Sequence, residues 1–166
     1  MILGMSLTVF TQLHVAISLI GIGTGFLAAF GMIRNRIYPA ATAVFLLTTA
    51  LTSITGFFFP FKGMTPGIII GILSIFVLLF ATAARYIGHM VGGWRATWVV
   101  TAMLALYLNF FVFLVQLFDK VPSLHSMPPR QKETVFAAAQ LAALAAFTLW
   151  TVLATRRFRP ATPLAL

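Results

Sequence analysis

The chain has 166 residues, of which 61% are hydrophobic and 8% are charged, and its mean hydropathy is +1.04. A soluble domain of this length carries roughly 25% charged residues, so the composition excludes an ordinary soluble fold. Cysteine is absent, which excludes disulfides, thiolate metal sites and thiol catalysis. The formal net charge of +9 comes mostly from Lys and Arg at the ends of apolar runs. That distribution indicates contact with lipid headgroups and not with nucleic acid.

Five apolar runs are each long enough to cross a hydrocarbon layer about 30 Å thick. They predict an all-α polytopic membrane protein, a five-helix bundle that forms a single transmembrane domain over residues 1–166. The first 33 residues contain no Lys or Arg, so they lack the basic segment of a signal peptide and are expected to remain as a helix. The predicted spans cover residues 8–33, 39–60, 66–90, 95–118 and 133–156.

The basic residues predict the orientation of these spans. One side of the membrane receives seven of them: Arg34, Arg36, Arg85, Arg95, Arg156, Arg157 and Arg159. The other side receives four, together with both acidic residues: Lys62, Lys120, Arg130 and Lys132, with Asp119 and Glu133. By the positive-inside rule the N-terminus lies outside and the C-terminus is cytoplasmic. An aromatic belt is predicted at the same cytoplasmic interface from Tyr38, Tyr86, Trp94, Trp98 and Trp150.

The first predicted span places a small or polar side chain every three or four residues, from Thr11 to Met32. His14, Ser18 and Gly21 lie on this stripe. In lipid, such a stripe faces other helices, because small residues permit close approach and polar groups need partners. Since His14 is the only histidine deep in an apolar run, we expect it to face any site that the bundle forms.

Matching polar side chains occur on the other predicted spans, and most of them lie in the outer half at a rise of about 1.5 Å per residue. They predict a polar interior that binds a lipophilic ligand or a partner in a membrane complex. The alternative is hydrogen bonding within the protein, worth about 0.6 kcal/mol per group, with His14 bonded to Ser18 or to an amide. The candidate ligand-binding residues are Thr11, His14, Ser18, Thr52, Thr55, Asn109, Gln116 and Gln140.

A second candidate site lies near the predicted cytoplasmic surface. Arg85 and His89 are four residues apart on one face of the third predicted helix, and Arg36 and Arg95 lie close to neighbouring spans. Basic groups at this depth bind lipid headgroups or other anions. The alternative is that these side chains reach the interface without holding a ligand.

His14 also suggests a redox protein that binds haem b or a quinone. A haem held by two histidines needs both at one depth, and His89 is expected about 25 Å away along the membrane normal. His125 lies on the same side as His14, but in a proline-rich loop. A zinc site formed by His14, His125, Asp119 and Glu133 would have suitable ligand types, but the spacing of these residues is not diagnostic of zinc. No metal site and no resident cofactor is assigned.

Other functional classes lack the residues that they need. No carboxylate lies inside a predicted span, which disfavours a proton-coupled or sodium-coupled transporter. No nucleophile–base pair, paired carboxylates or phosphate-binding loop occurs, so no catalytic residue is assigned and a non-enzymatic protein is favoured. A small transporter or channel is the third interpretation.

Several segments carry a resemblance to known proteins. Leu13-His14, residues 18–22, residues 51–60 and residues 105–109 resemble small uncharacterised bacterial multi-pass inner-membrane proteins. The resemblance covers nearly the whole chain and implies a bacterial inner (plasma) membrane without implying an activity. A fainter similarity is to small b-type cytochrome bundles, whose first helix often bears a histidine in its outer half. The expected partners are the lipid bilayer and a membrane complex or a second copy of the chain.

Overall fold

The computed structural model describes residues 1–60, 63 and 65–160. In this part of the chain six α-helices follow one another, and a five-residue π-helix, Ala83–Ile87, directly continues the third. The α-helices are α1 (Leu7–Ile33), α2 (Pro39–Gly56), α3 (Pro66–Thr82), α4 (Gly93–Lys120), α5 (Pro122–His125) and α6 (Pro129–Arg157). Five segments are long and apolar enough to cross a membrane, namely α1, α2, α3 joined to the π-helix, α4 and α6. This confirms the prediction of an all-α membrane protein with five spans.

Hydroxyl residues and prolines determine where the helices begin. The side-chain oxygens of Ser6 and Thr65 accept hydrogen bonds from first-turn N–H groups of α1 and α3. Pro39 and Pro129 stand at the starts of α2 and α6, where the missing N–H has no intrahelical partner to lose. The last span therefore begins at Pro129 and not at residue 133.

Other predicted bounds also differ from the structure. The second span ends its helix at Gly56 and not at residue 60, because the next two N–H groups turn back to the carbonyls of Ile54 and Thr55. The third span ends its regular α-helix at Thr82 and continues as the π-helix to Ile87, short of residue 90. The fourth span runs over Gly93–Lys120 and exceeds its predicted range at both ends.

Successive spans run antiparallel and pack as neighbours, with α4 in contact with α1, α2, α3 and α6. The end of the bundle that contains the start of α1 and the ends of α2 and α4 is here named the His14 end. The opposite end, which contains all seven arginines of the predicted cytoplasmic side, is named the basic end. Lys62, which was assigned by sequence to the His14 end, lies outside the described residues.

The core lies where α4 crosses α1 and α2. A side chain at Gly25 of α1 would bring its Cβ to 2.5 Å from Leu106 Cδ1 and 2.8 Å from the ring of Phe45, so glycine is what allows the three helices to approach. Trp98, which the sequence placed in an interfacial belt, is buried in this core. The side chain of Trp98 points from α4 into the bundle, so its large apolar ring is packed inside the protein and not at the membrane–water interface.

Candidate functional site

His14 is half-buried and joins α1 to α2. Its Nδ1 lies 2.8 Å from Thr55 Oγ1, so its partner is neither Ser18 nor an amide. Thr55 Oγ1 also lies 2.7 Å from the Leu51 carbonyl oxygen, to which its single hydroxyl proton can be donated. When the proton is used there, the Nδ1–H of His14 is the donor to Thr55 Oγ1. In a neutral imidazole with this tautomer, Nε2 carries a lone pair and accepts hydrogen bonds.

One aromatic ring packs directly against this histidine, and a second ring packs behind the first. The ring of Phe59 stands edge-on to His14 at 5.2 Å and to Phe10 at 5.0 Å between centroids. Gly56 lies on another side, since a Cβ there would be 3.9 Å from His14 Cε1, the ring atom next to Nε2. These residues form the His14 cluster, which consists of Phe10, His14, Thr55, Gly56 and Phe59. It offers one acceptor nitrogen in apolar surroundings.

The other predicted ligand-binding residues do not join this cluster through hydrogen bonds. Thr11 and Thr52 donate to carbonyl oxygens one turn back in their own helices, each at 2.8 Å. Gln140 of α6 donates to a carbonyl oxygen of α4 at 3.3 Å. Ser18 is half-buried and Gln116 is exposed. The predicted outer-half residues are therefore distributed over the bundle, and His14 and Thr55 form a bonded pair.

Asn109 lies deeper in the bundle, beside Gly21 of α1. A Cβ atom at Gly21 would lie 3.2 Å from Asn109 Nδ2. It would lie 3.0 Å from the hydroxyl oxygen of Thr48 and 3.2 Å from that of Thr49. Asn109 is 8% exposed and Thr49 is 2% exposed. Within the described residues, Asn109 Nδ2 and Thr49 Oγ1 have no hydrogen-bond partner. Gly21 thus lets polar groups from α2 and α4 meet at the surface of α1.

At the basic end, the four predicted anion-binding residues separate into two pairs. His89 and Arg95 line a recess of about 270 Å³ together with Arg159 and the turn over residues 90–92. Arg36 and Arg85 line a different cavity of about 10 Å³, close to the volume that a single water needs. Arg159 was not among the predicted anion-binding residues, because its place in the recess depends on tertiary structure.

The recess, here named the basic recess, is built on constrained backbone. His89 and Met90 have φ values of +47° and +57°, and Gly92 has +55°, a left-handed region that non-glycine residues rarely adopt. Arg95 Nη1 donates to the carbonyl oxygens of Thr155 at 2.8 Å and Phe158 at 2.7 Å. This contact ties the start of α4 to the end of α6 and satisfies carbonyls that a helix terminus leaves free.

Arg85 does not share a helical face with His89, although their spacing predicted one. The chain is a π-helix over Ala83–Ile87 and then turns at His89, so the spacing of an α-helix no longer applies. Arg85 instead donates from Nη1 to Met90 Sδ at 3.3 Å. Its guanidinium carbon is 5.8 Å from the ring centroids of Tyr86 and Trp98, within cation–π range.

A metal ion held by protein side chains requires several ligands at one place, and a haem held by two histidines requires both at one depth. Among the residues that the structure describes, no group of three or more His, Asp or Glu side chains could hold a metal ion. His14 and His89 lie at opposite ends of the bundle, as their depths predicted, and His125 ends α5 with an exposed side chain.

Comparison of the chain with protein-family models, with curated proteins and with solved structures gives no match. The two ends of the bundle differ in the chemical groups that they present. One end presents a hydrogen-bonded histidine packed against the ring of Phe59, and the other presents a recess lined by basic side chains.

Proposed function

We propose that this chain is a non-enzymatic integral protein of a bacterial inner membrane, with its N-terminus outside. It binds a lipophilic molecule that carries a hydrogen-bond donor, and the binding site is the His14 cluster. The observation that carries the proposal is the 2.8 Å contact between His14 Nδ1 and Thr55 Oγ1. This contact fixes the ring and leaves Nε2 free to accept. In apolar surroundings a hydrogen bond to Nε2 is stronger than in water.

The position of the cluster favours a ligand that comes from the lipid. His14 lies two turns inside α1, and its neighbours Leu13 and Val15 have exposed apolar side chains. A molecule that reaches Nε2 across this surface has to dissolve in hydrocarbon. The half-buried ring of Phe59 supplies flat apolar area against which a ring or chain packs, and the buried ring of Phe10 holds Phe59 in place.

The same tautomer supports a second candidate function, a redox protein that binds haem b or a quinone. Histidines that ligate metals usually donate from one ring nitrogen to a fixed group and present the other to the metal. His14 has this arrangement, with Thr55 as the fixed group. A quinol hydroxyl would donate to Nε2 in the same way. The transporter or channel interpretation stays a prediction.

The test is to identify lipophilic molecules that co-purify with the full chain in mild detergent, by mass spectrometry of the extracted protein. His125→Ala is the matched control, because it removes an exposed histidine at the same end of the bundle. We expect one molecule to be retained by the wild type and by His125→Ala, and to fall by roughly tenfold in His14→Ala, the change that loss of about 1.4 kcal/mol produces.

Circular dichroism and membrane insertion should be the same for the three proteins. Equal retention by His14→Ala would contradict a binding role for this residue. An absorption spectrum before and after dithionite separates the two candidate functions. A Soret band that shifts on reduction supports haem, whereas a colourless sample removes haem and leaves a ligand without a chromophore.

A further inference from the structure

We propose that the basic recess binds the phosphate of an anionic phospholipid, through His89, Arg95 and Arg159. This site lies at the opposite end of the bundle from the His14 cluster and does not depend on it. The recess has a volume of about 270 Å³, which is larger than a single phosphate group requires. Space therefore remains for the adjoining part of a lipid headgroup.

The fold gathers these side chains from three separate elements. His89 belongs to the left-handed turn after the π-helix, Arg95 to the first turn of α4, and Arg159 to the segment after α6. The backbone N–H of Arg159 donates to Asn35 Oδ1 at 2.7 Å, so the end of α1 holds this segment in place. The recess is thus a product of tertiary contacts and not of one basic helical face.

The guanidinium of Arg95 is preorganised to bind an anion. Its Nη1 donates both hydrogens to the carbonyl oxygens of Thr155 and Phe158, which fixes the plane of the guanidinium. Three of the five N–H donors of the group, on Nε and Nη2, are left for another acceptor. A planar donor group of this kind matches two phosphate oxygens at once, and its fixed position reduces the entropy lost on binding.

No acidic side chain neutralises this end. The sequence contains two acids, Asp119 and Glu133, and they lie at the end of α4 and near the start of α6, at the His14 end. The arginines of the basic end therefore repel one another, and a bound anion relieves that repulsion. The anionic lipids of a cytoplasmic leaflet attract basic residues by about 1 kcal/mol each.

The rim of the recess favours a lipid over free phosphate. Val91 lines the recess and is 56% exposed, and Ile87 and Trp94 beside it are 76% and 45% exposed. Because these residues stand at or between the ends of two membrane-spanning helices, we expect them at the level where headgroups meet hydrocarbon. A phospholipid can place its phosphate against the basic groups and its acyl chains along this rim, whereas inorganic phosphate gains nothing from the apolar surface.

The experiment is native mass spectrometry of the full chain in detergent, titrated separately with phosphatidylglycerol, phosphatidylcholine and inorganic phosphate. The test variant is Arg159→Gln and the matched control is Arg157→Gln. Both remove one exposed positive charge at the same end, and Arg157 does not line the recess. The backbone N–H of residue 159 still bonds to Asn35 in the variant, so the fold should persist.

We expect phosphatidylglycerol to bind more tightly than phosphatidylcholine. Its affinity should fall roughly fivefold to tenfold in Arg159→Gln, and less than about twofold in Arg157→Gln. Equal losses in the two variants would show attraction to surface charge in general and would overturn the proposal. Equal binding of the two lipids, or displacement of phosphatidylglycerol by inorganic phosphate at similar concentration, would overturn it as well.

Discussion

At the His14 end a histidine is hydrogen-bonded to a threonine of the next helix, whereas at the basic end seven arginines lie together without an acidic side chain. His14 has Thr55 as its partner. Arg95 finds carbonyl oxygens, but the seven arginines of that end have no acidic side chain among them. The two ends differ because their polar side chains are expected at different depths in the membrane. Hydrocarbon offers no hydrogen-bond partner, so buried polar groups bond internally, while charges at the rim meet water and headgroups.

α1 connects these two ends, and its crossing with α2 and α4 decides whether either end can form. We predict that Gly25→Val lowers the free energy of unfolding by about 3 kcal/mol, because the added side chain would clash with Leu106 and Phe45. Gly23→Val is the control, since nothing lies within 4 Å of its Cβ position, and it should change stability by less than about 0.5 kcal/mol.

Unfolding in mixed detergent micelles, followed by circular dichroism, measures both values. The Gly25→Val protein should lose order at both ends, since the His14–Thr55 and Asn35–Arg159 contacts each involve α1 or the turn that follows it. Equal stability of the two valine variants would mean that α1 does not pack against α2 and α4 at Gly25.

Arg95 differs from the exposed arginines of the basic end, because its side chain is hydrogen-bonded to backbone carbonyl oxygens of the protein. Arg95→Ala removes the hydrogen bonds to Thr155 and Phe158. We expect a loss of about 1–2 kcal/mol of stability, reduced from the value for fully buried charged donors because Arg95 is half-buried. Arg156→Ala, at an exposed position of the same end, should be close to neutral.

The same micelle assay applies to Arg95→Ala and Arg156→Ala. If Arg95→Ala were as stable as the wild type, the contact between the start of α4 and the end of α6 would not contribute to the fold. The basic recess would then lack the fixed guanidinium on which phosphate binding depends.

The smallest effect is expected at the His14 end. Hydrogen bonds between membrane helices average about 0.6 kcal/mol, so we predict a coupling energy of that size between His14 and Thr55. A double-mutant cycle with His14→Ala, Thr55→Val and the combined variant measures it. Strict additivity would show that the 2.8 Å contact does not stabilise the bundle.

Hydropathy predicted the number of spans and the separation of His14 from His89, because hydrocarbon thickness and helical rise leave few alternatives. The early start of α6 at Pro129 follows a known preference for proline at the first helical position, which the sequence prediction did not apply. The π-helix Ala83–Ile87 had no comparable signal, and neither did the left-handed φ of His89 and Met90.

Partners across helices were harder to predict than positions along them. A polar stripe on α1 indicates that some helix packs there, but it does not say which residue of that helix is opposite. His14 was expected to bond to Ser18 or an amide, and it bonds to Thr55. Arg159 reaches the basic recess because its backbone bonds to Asn35, a contact between residues at distant points of the chain that no local pattern contains.

We propose that the five spans place the His14 end outside and the basic end at the cytoplasmic leaflet. Because the chain has no cysteine, single-cysteine variants test this claim directly with a membrane-impermeant maleimide. Ser126 follows α5 at the His14 end, Val91 lies in the turn before α4 at the basic end, and both are exposed. We predict that Ser126→Cys is labelled in intact bacterial cells and Val91→Cys only after the inner membrane is permeabilised. Labelling of both in intact cells, or the reverse pattern, would contradict the account.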